Sequence, residues 1–373
     1  MPPVRKPTDW RKQHAMRKKR KSKEIEEYLK KNQELQQEIE KETYDKEIIS
    51  EDINLSKNVK TISIALPGSI LDTVQCTELQ TYVVGQIARA ACIYNVDEIV
   101  IFDDTCSSLD EKTSEEDGES NTWKNCEYFA KLLQYLECPQ YLRKLLFPLD
   151  QDLRYVGLLN PVEAPHHFRS HQISIYREGV VVDKTNKNGQ KSFAEIGLTT
   201  QVKLDKKLEP GTRVTVKLPP KNQGSHKLNG IVVTPLEPKI KLGYYWGYKV
   251  RLAASISDVF THCPYKKGYN LTIGTSDKGV AINNVSFKKK KKLHLLIVFG
   301  GLKGLEFALE SDKRIDVDDV TLLFDHYLNT CPNQGTRTIR TEEAVLISLA
   351  VITGKFFSES GMWISKQEYD ESG

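Results

Sequence analysis

No apolar run in this 373-residue chain comes near the roughly 20 residues that a membrane-crossing helix requires. The N-terminus is basic and carries no apolar segment of the secretory kind, which argues against secretion. Cysteine pairing is equally sparse. Cys76, Cys92, Cys106, Cys126, Cys138, Cys263 and Cys331 are odd in number, scattered and never in a CxxC pair, so neither a disulfide framework nor a zinc site is indicated, and the compartment reads as reducing, cytosol or nucleus. The phosphate signatures GxxxxGK[ST] and GxGxxG opening a helix in an early βαβ unit are missing. With no Walker lysine after any glycine run, a nucleotide hydrolase is disfavoured. His166 and His167 stand side by side without a third ligand in a recognisable register, so no metal is expected there, and the pair reads as structural or RNA-facing.

What is present is enough apolar sequence, 39% of the chain, to bury at least one large core, and a length that predicts about two domains. The formal charge of +4 hides an uneven distribution. Arg5, Lys6, Arg11, Lys12, Arg17, Lys18, Lys19, Arg20, Lys21 and Lys23 face a single acid, Asp9, and such a block reads as a nuclear-targeting or nucleic-acid-contacting arm. Glu24 to Glu47 follows with dense Glu, Lys and Gln and only Ile25, Leu29, Leu35 and Ile39 as apolar points, a solvated helix or a disordered tail.

The folded part begins near Thr61. Thr61 to Leu66 reads as a strand stopped by Pro67-Gly68; Leu79, Tyr82, Val83, Gln86, Ile87, Ala90, Ala91 and Tyr94 recur at helical spacing; Glu98 to Phe102 returns as a second apolar strand. That is a βαβ unit, which predicts a parallel sheet. From Asp103 an acidic loop is expected, through Asp110, Glu111, Glu115, Glu116, Asp117 and Glu119, and a helix then runs from Tyr128 to Leu136 until Pro139 interrupts it. Between Arg177 and Lys249 the texture becomes short β runs, namely Gly179–Val182, Gln201–Leu204, Arg213–Leu218, Ile231–Val233 and Tyr244–Tyr248, which suggest a small barrel or sandwich. Asp183 to Lys249 holds 13 Lys and Arg against 5 Asp and Glu, a net +8. Basic charge with aromatics suits a nucleic-acid module, with Lys203, Lys206, Lys207, Arg213 and Lys217 as candidate RNA contacts; the alternative is that the rings fill a core and the lysines are merely solvated.

The richest stretch lies in the last third. Leu295 to Phe299 empties into Gly300-Gly301-Leu302-Lys303-Gly304-Leu305-Glu306, and the loop Asn329 to Thr341 leads into an apolar helix. Glycines after a buried strand admit another group close to the main chain. Glu342 and Glu343 at the start of the following helix would repel an anion, so a neutral or cationic ligand is expected on main-chain amides and carbonyls, a chemistry that S-adenosylmethionine fits. A tight strand-to-helix turn with no ligand is the alternative for the first loop alone; two such loops in succession favour the cradle. The strand-like Tyr269–Ser276 and the lysine run Lys288–Lys292, a soluble loop or a phosphate contact, precede these loops. The final helix, with Ala344, Val345, Leu346, Ile347, Leu349, Ala350, Val351 and Ile352, has almost no polar face, which predicts a partner subunit.

Gly85-Gln86-Ile87-Ala88-Arg89-Ala90, Ile297 through Glu306, and Gly335-Thr336-Arg337-Thr338-Ile339-Arg340-Thr341-Glu342-Glu343-Ala344 together resemble the three motifs of SPOUT, or trefoil-knot, RNA methyltransferases. The resemblance covers about Val59 to Ile352 and is nearest to the SPOUT-domain-containing methyltransferase branch, whose catalytic domain is interrupted by an OB-like barrel. It implies an α/β fold with a mostly parallel, trefoil-knotted sheet, an inserted OB-like β-barrel and a basic tail, helical or disordered. The implied organisation is a tail at 1–57, a split methyltransferase domain at 58–165 and 250–373, and the barrel at 166–249. It further implies a homodimer with S-adenosylmethionine in the knot, lined by Thr275, Gly300, Gly301, Gly304, Pro332, Gly335, Thr338 and Ile339. Arg89 is then the motif-one arginine that helps activate or orient the acceptor nucleotide, often from the other protomer. Arg340 stands where many ribose-methylating relatives carry Asn, which points to a base nitrogen such as uridine N3, and both arginines are candidate catalytic residues. Structured RNA, above all ribosomal RNA, is the implied substrate, and nucleus, nucleolus and cytoplasm the implied locations. The alternative from the same resemblance is a catalytically silent RNA-binding adaptor associated with the mitotic spindle or centromere.

Overall fold

The computed structural model describes residues 60–106, 122–172, 174–185, 191–219, 228–288 and 292–357. The N-terminal tail 1–57, the acidic stretch from Asp110 to Glu119 and the centre of the lysine run, Lys289 to Lys291, lie outside the described residues. In chain order the α/β part starts with β1 (Lys60–Pro67), α1 (Thr77–Ile93), β2 (Glu98–Phe102), α2 (Thr122–Glu137) and α3 (Gln140–Leu146). Five strands follow, β3 (Tyr176–Thr185), β4 (Ser192–Glu195), β5 (Val202–Leu204), β6 (Arg213–Lys217) and β7 (Leu228–Val233). After the short α4 (Glu237–Leu242) the chain resumes with β8 (Lys249–Ala253), α5 (Ile256–Thr261), β9 (Leu271–Ala281), β10 (Leu293–Val298), α6 (Gly304–Ser311), β11 (His326–Asn329) and α7 (Thr341–Phe357).

Alternation along the strands builds the central layer. Ile62, Ile64 and Leu66 of β1 and Leu293, Leu295 and Ile297 of β10 face α1, α2 and α7, while Ala65, Leu296 and Val298 face α5 and α6. Strands buried on both faces are what an all-parallel sheet demands, and the six pair in parallel in the order β11-β9-β10-β1-β2-β8. The sequence-predicted βαβ unit is therefore β1-α1-β2. Val83, Ile87, Ala90 and Ala91 of the expected stripe are buried, Val84 and Ala88 are buried beside them, and Leu79 and Tyr82 remain 53% and 47% exposed, so the buried face is turned toward one side of that stripe. On α7, Val345, Leu349 and Ile352 face the core, but Leu346 is 45% exposed, so one chain covers only part of that apolar helix.

The inserted strands close a barrel in the order β3-β4-β5-β7-β6, with β5 and β7 parallel and every other pair antiparallel. Val181, Ala194, Ile196, Val202, Leu204, Val214 and Val216 fill it, which gives the OB-like insertion its own core. Tyr244–Tyr248 is not a strand. Gly243 and Gly247 take left-handed φ of 71° and 82°, which breaks an extended run. The rings do not face outward for base stacking either: Tyr245, Trp246 and Tyr248 are buried, with Tyr245 donating to Val96 O at 2.8 Å and Tyr248 to Leu133 O at 2.9 Å. They fasten the barrel's exit to the α/β part.

A buried ionic junction does the same from the barrel wall. Arg213 on β6 donates to both carboxylate oxygens of Glu137, at 2.6 and 3.0 Å, and through Nε to Glu178 at 2.8 Å. Thr215 and Trp246 donate to the other oxygen of Glu178. Burial alone would raise the Glu137 carboxyl, yet Arg213 and the His166 ring 2.9 Å away hold it down at about 2. His167 Nε2 lies 2.6 Å from Glu137 O, and burial pushes its imidazole down to about 3. Both histidines are thus structural, and among the described residues no group of three or more His, Cys, Asp or Glu has metal-binding geometry.

Candidate active site at the C-terminal edge of the sheet

In a parallel sheet the loops after the strands converge at one edge, where ligands gather. Here β10 ends in Phe299-Gly300-Gly301, beside the end of β1 (Pro67-Gly68-Ser69) and, one strand further, the end of β2 (Asp103-Asp104). The glycine loop is a tight turn: Gly304 donates its amide to Gly301 O at 3.0 Å and adopts φ +80°. A Cβ on Gly300 would lie 2.9 Å from Gly304 C and Leu305 N, and one on Gly301 would lie 2.6 Å from Ser69 Oγ. Gly300 thus requires bare backbone, and a side chain at Gly301 would have to displace the Ser69 hydroxyl.

The second loop joins this turn at its far end, where Thr341 Oγ1 donates to Gly300 O at 3.2 Å. Arg340 is the cap residue of α7: its carbonyl accepts from Ala344 N at 2.8 Å, and its own amide donates to Glu343 at 3.0 Å, half of a capping box. Glu343 therefore occupies the helix end where an anion would otherwise sit, as the sequence predicts. Within the loop, Cys331 N is bound to Asn329 Oδ1, Asn329 donates to Asp277 O, and Gln334 spans to the carbonyls of Thr336 and Arg337. Pro332, Gly335 and Thr338 are exposed, Ile339 is half-buried, and nothing lies within 4 Å of a Cβ placed on Gly335. Thr275 on β9 donates to Val298 O at 3.1 Å, tying the neighbouring strand to β10 just below the glycines.

Two lysines near the turn are engaged. Lys278 pairs with Glu306 at 3.2 Å, and Lys303 lies 4.2 Å above the Phe307 ring. With bare main chain at Gly300 and Gly301 and the acids Glu306, Glu342 and Glu343 close in sequence, the donor set fits an uncharged adenosine carrying a sulfonium and does not fit a polyphosphate. Thr275, Gly300, Gly301, Gly304 and the 329–341 loop, named from the sequence for S-adenosylmethionine, are tied together here through Val298 O and Gly300 O. When bound, S-adenosylmethionine would supply an electrophilic methyl group.

Arg89 hydrogen-bonds to the segment after α3 rather than to either loop. From α1 it donates to Val162 O at 2.7 Å and Pro161 O at 3.3 Å. Arg340 is exposed, with its guanidinium 3.5 Å from Glu342. On the barrel, Lys206 and Lys207 are exposed in the turn after β5 and Lys203 is half-buried on it. Arg213 belongs to the junction with Glu137 and Glu178, and Lys217 lies 3.4 Å from Glu237, so both of these expected RNA contacts also pair with carboxylates.

Sequence reasoning missed Ser69 and Asp104. Ser69 Oγ donates to Asp104 Oδ2 at 2.5 Å, the carboxylate is 3% exposed, and Asp104 Oδ1 has no hydrogen-bond partner among the described residues. Burial raises this carboxyl above the ordinary aspartate value, against the Ser69 bond that lowers it. The only signal in the sequence is a pair of acids directly after a fully apolar strand, which reads equally well as the start of the acidic loop.

Residues 61–352, which include the sheet, the barrel and both glycine loops, match the family described as "Putative RNA methyltransferase". A Drosophila melanogaster protein named "28S rRNA (uridine-N(3))-methyltransferase" is 51% identical over 305 residues, which is 80% of this chain and 63% of the fly protein, so the chain spans less than two thirds of that relative's length. The human protein of the same name is 50% identical over 296 residues, 78% of this chain and 77% of its own, and the mouse protein 50% over 293, 78% and 76%. The three motifs, the parallel sheet and the barrel between its halves thus converge with the match along the chain: this protein belongs to that RNA methyltransferase family.

Proposed function

We propose that this chain transfers the methyl group of S-adenosylmethionine to N3 of a uridine in large-subunit ribosomal RNA. The observation that carries the reading is the half-identity to uridine-N3 methyltransferases across both the sheet and the barrel. The meeting of the two loops through Thr341 Oγ1 and Gly300 O at the strand ends supports it, since main chain rather than a lysine is what a sulfonium ligand needs. A homodimer completes the site: Leu79, Tyr82 and Leu346 leave apolar surface on α1 and α7, and a second copy packed there brings Arg89 to its partner's glycine loops. The enzyme works in the nucleus and nucleolus, with a cytoplasmic pool. The test is a map of methylated nucleosides in ribosomal RNA from cells lacking the protein. One 3-methyluridine should disappear and return with the wild-type gene; an unchanged map refutes the reading.

Two variants separate this from a silent spindle or centromere adaptor. Arg89→Ala should lower methyl transfer by about 100-fold or more, the scale of a lost activating group, while RNA affinity stays within twofold; an adaptor would show neither activity nor loss. Lys206→Ala with Lys207→Ala should weaken RNA binding without affecting calorimetric binding of S-adenosylhomocysteine. If both lysines meet phosphates, the slope of log K against log salt should fall by about 1.4 to 1.8. An unchanged slope would place the RNA elsewhere on the barrel.

A further inference from the structure

Methylation at uridine N3 poses a chemical problem that the motif residues do not solve. The N3–H is a weak acid, and its nitrogen becomes a good nucleophile only as the proton leaves. The guanidinium groups of Arg89 and Arg340 carry donors and no acceptor, so they cannot take it. An acceptor must stand at the sheet edge, close to the glycine loop and shielded from water.

We propose that Asp104 is that proton acceptor, anchored by Ser69 through Oδ2 and presenting Oδ1 to the uracil. The inference rests on the uridine-N3 reading above. Three observations place it. Asp104 follows β2, one strand from β1 and two from β10, at the edge where Gly300 and Gly301 emerge. A Cβ on Gly301 would lie 3.4 Å from Asp104 Oδ2 and 2.6 Å from Ser69 Oγ, so this pair forms the floor directly beneath the loop that would hold the methyl donor. Asp104 Oδ1 is buried and unpartnered among the described residues, an arrangement that costs free energy and calls for a partner such as a ligand or an ordered water. The groups that act on the carboxyl are the Ser69 hydroxyl and amide from the loop after β1, its own amide, and the Asp103 charge, and its own charge reaches Cys126 on α2.

In the step, the N3 lone pair forms the new N–CH3 bond as the N3 proton passes to Asp104 Oδ1. The S–CH3 bond of the methylsulfonium donor breaks and its electron pair remains on sulfur. The products are neutral S-adenosylhomocysteine, 3-methyluridine and a protonated Asp104 that later releases its proton to water. A carboxylate whose affinity for protons is raised by burial is a stronger base than a solvated one, which suits it to a weak acid.

The test uses the full-length protein, Asp104→Asn and Ser69→Ala. Asp104→Asn should reduce kcat by about 100-fold or more while S-adenosylhomocysteine and RNA affinities, read by calorimetry, stay within twofold. The acid limb of the wild-type pH-rate profile should vanish in Asp104→Asn and move to higher pH in Ser69→Ala, which loses the bond that favours the ionised carboxylate. Substituting 5-fluorouridine, whose N3–H is more acidic, at the target should rescue Asp104→Asn more than it speeds the wild type. An Asp104→Asn enzyme within about threefold of wild type with its acid limb intact overturns the proposal. Should that variant fail to fold or to bind S-adenosylhomocysteine, an unmoved limb in Ser69→Ala overturns it instead. A wild-type protein that binds S-adenosylhomocysteine but makes no 3-methyluridine overturns the functional reading, and this proposal with it.

Discussion

Gly300→Ala is expected to lose binding of S-adenosylhomocysteine by roughly 30-fold or more, equivalent to about 2 kcal/mol, in a calorimetric titration. The methyl added at Gly300 meets Gly304 C and Leu305 N at 2.9 Å, backbone atoms that cannot rotate aside as a side chain can. Relief requires opening the turn that Gly304 N closes on Gly301 O, or displacing Gly300 O from Thr341 Oγ1. Either movement separates the two loops that would jointly enclose the donor. Gly335→Ala is the matched control: the added methyl meets nothing within 4 Å. Its fold should be unaffected, so any loss of affinity there reports direct contact with the ligand. If Gly300→Ala binds as wild type does, the turn is not the cradle.

The parts of this molecule that were legible in the sequence are those in which local pattern and tertiary role coincide. Thr61–Leu66 and Glu98–Phe102 are apolar because both faces are covered, so β1 and β2 could be read directly. The glycines at 300 and 301 announced a close approach, and the structure shows what approaches: main chain on one side and Ser69 on the other. The Tyr244–Tyr248 run misled, because aromatic residues suit a strand, a base-stacking surface and a buried joint equally, and only the φ of Gly243 and Gly247 distinguishes them. Val83, Ile87, Ala90 and Ala91 of the expected stripe are buried whereas Leu79 and Tyr82 are exposed, since helical periodicity finds the apolar face but not where its edge stops being covered. Asp104 and the Glu137–Arg213–Glu178 junction were illegible for another reason. Their partners lie 35 to 76 residues away, and charge alone reads as solvated surface until the fold brings the groups together.

That junction carries the second large expected effect. Arg213→Ala leaves Glu137 and Glu178 buried without their shared cation, a change that costs about 3–5 kcal/mol. Calorimetry should show the main transition falling by roughly 6–15 °C at neutral pH. Acid tells the cause apart from simple loss of packing. In the wild type, the depressed Glu137 carboxyl contributes stability that is present above the ordinary carboxylate range and is lost as pH falls toward about 2. His167, kept neutral by burial with its pKa near 3, contributes stability that is lost as pH falls below about 6.5, so both groups weaken the wild type in acid. In Arg213→Ala the orphaned Glu137 carboxylate should protonate more readily, and the gap between variant and wild type should narrow below about pH 4.5. A constant gap would mean that the guanidinium acts by volume alone. The same variant decides where RNA lies on the barrel. An arginine that gripped phosphate would leave thermal stability near wild type and lower the salt dependence of binding by about 0.7 to 0.9, whereas an arginine that joins β6 to α2 does the reverse.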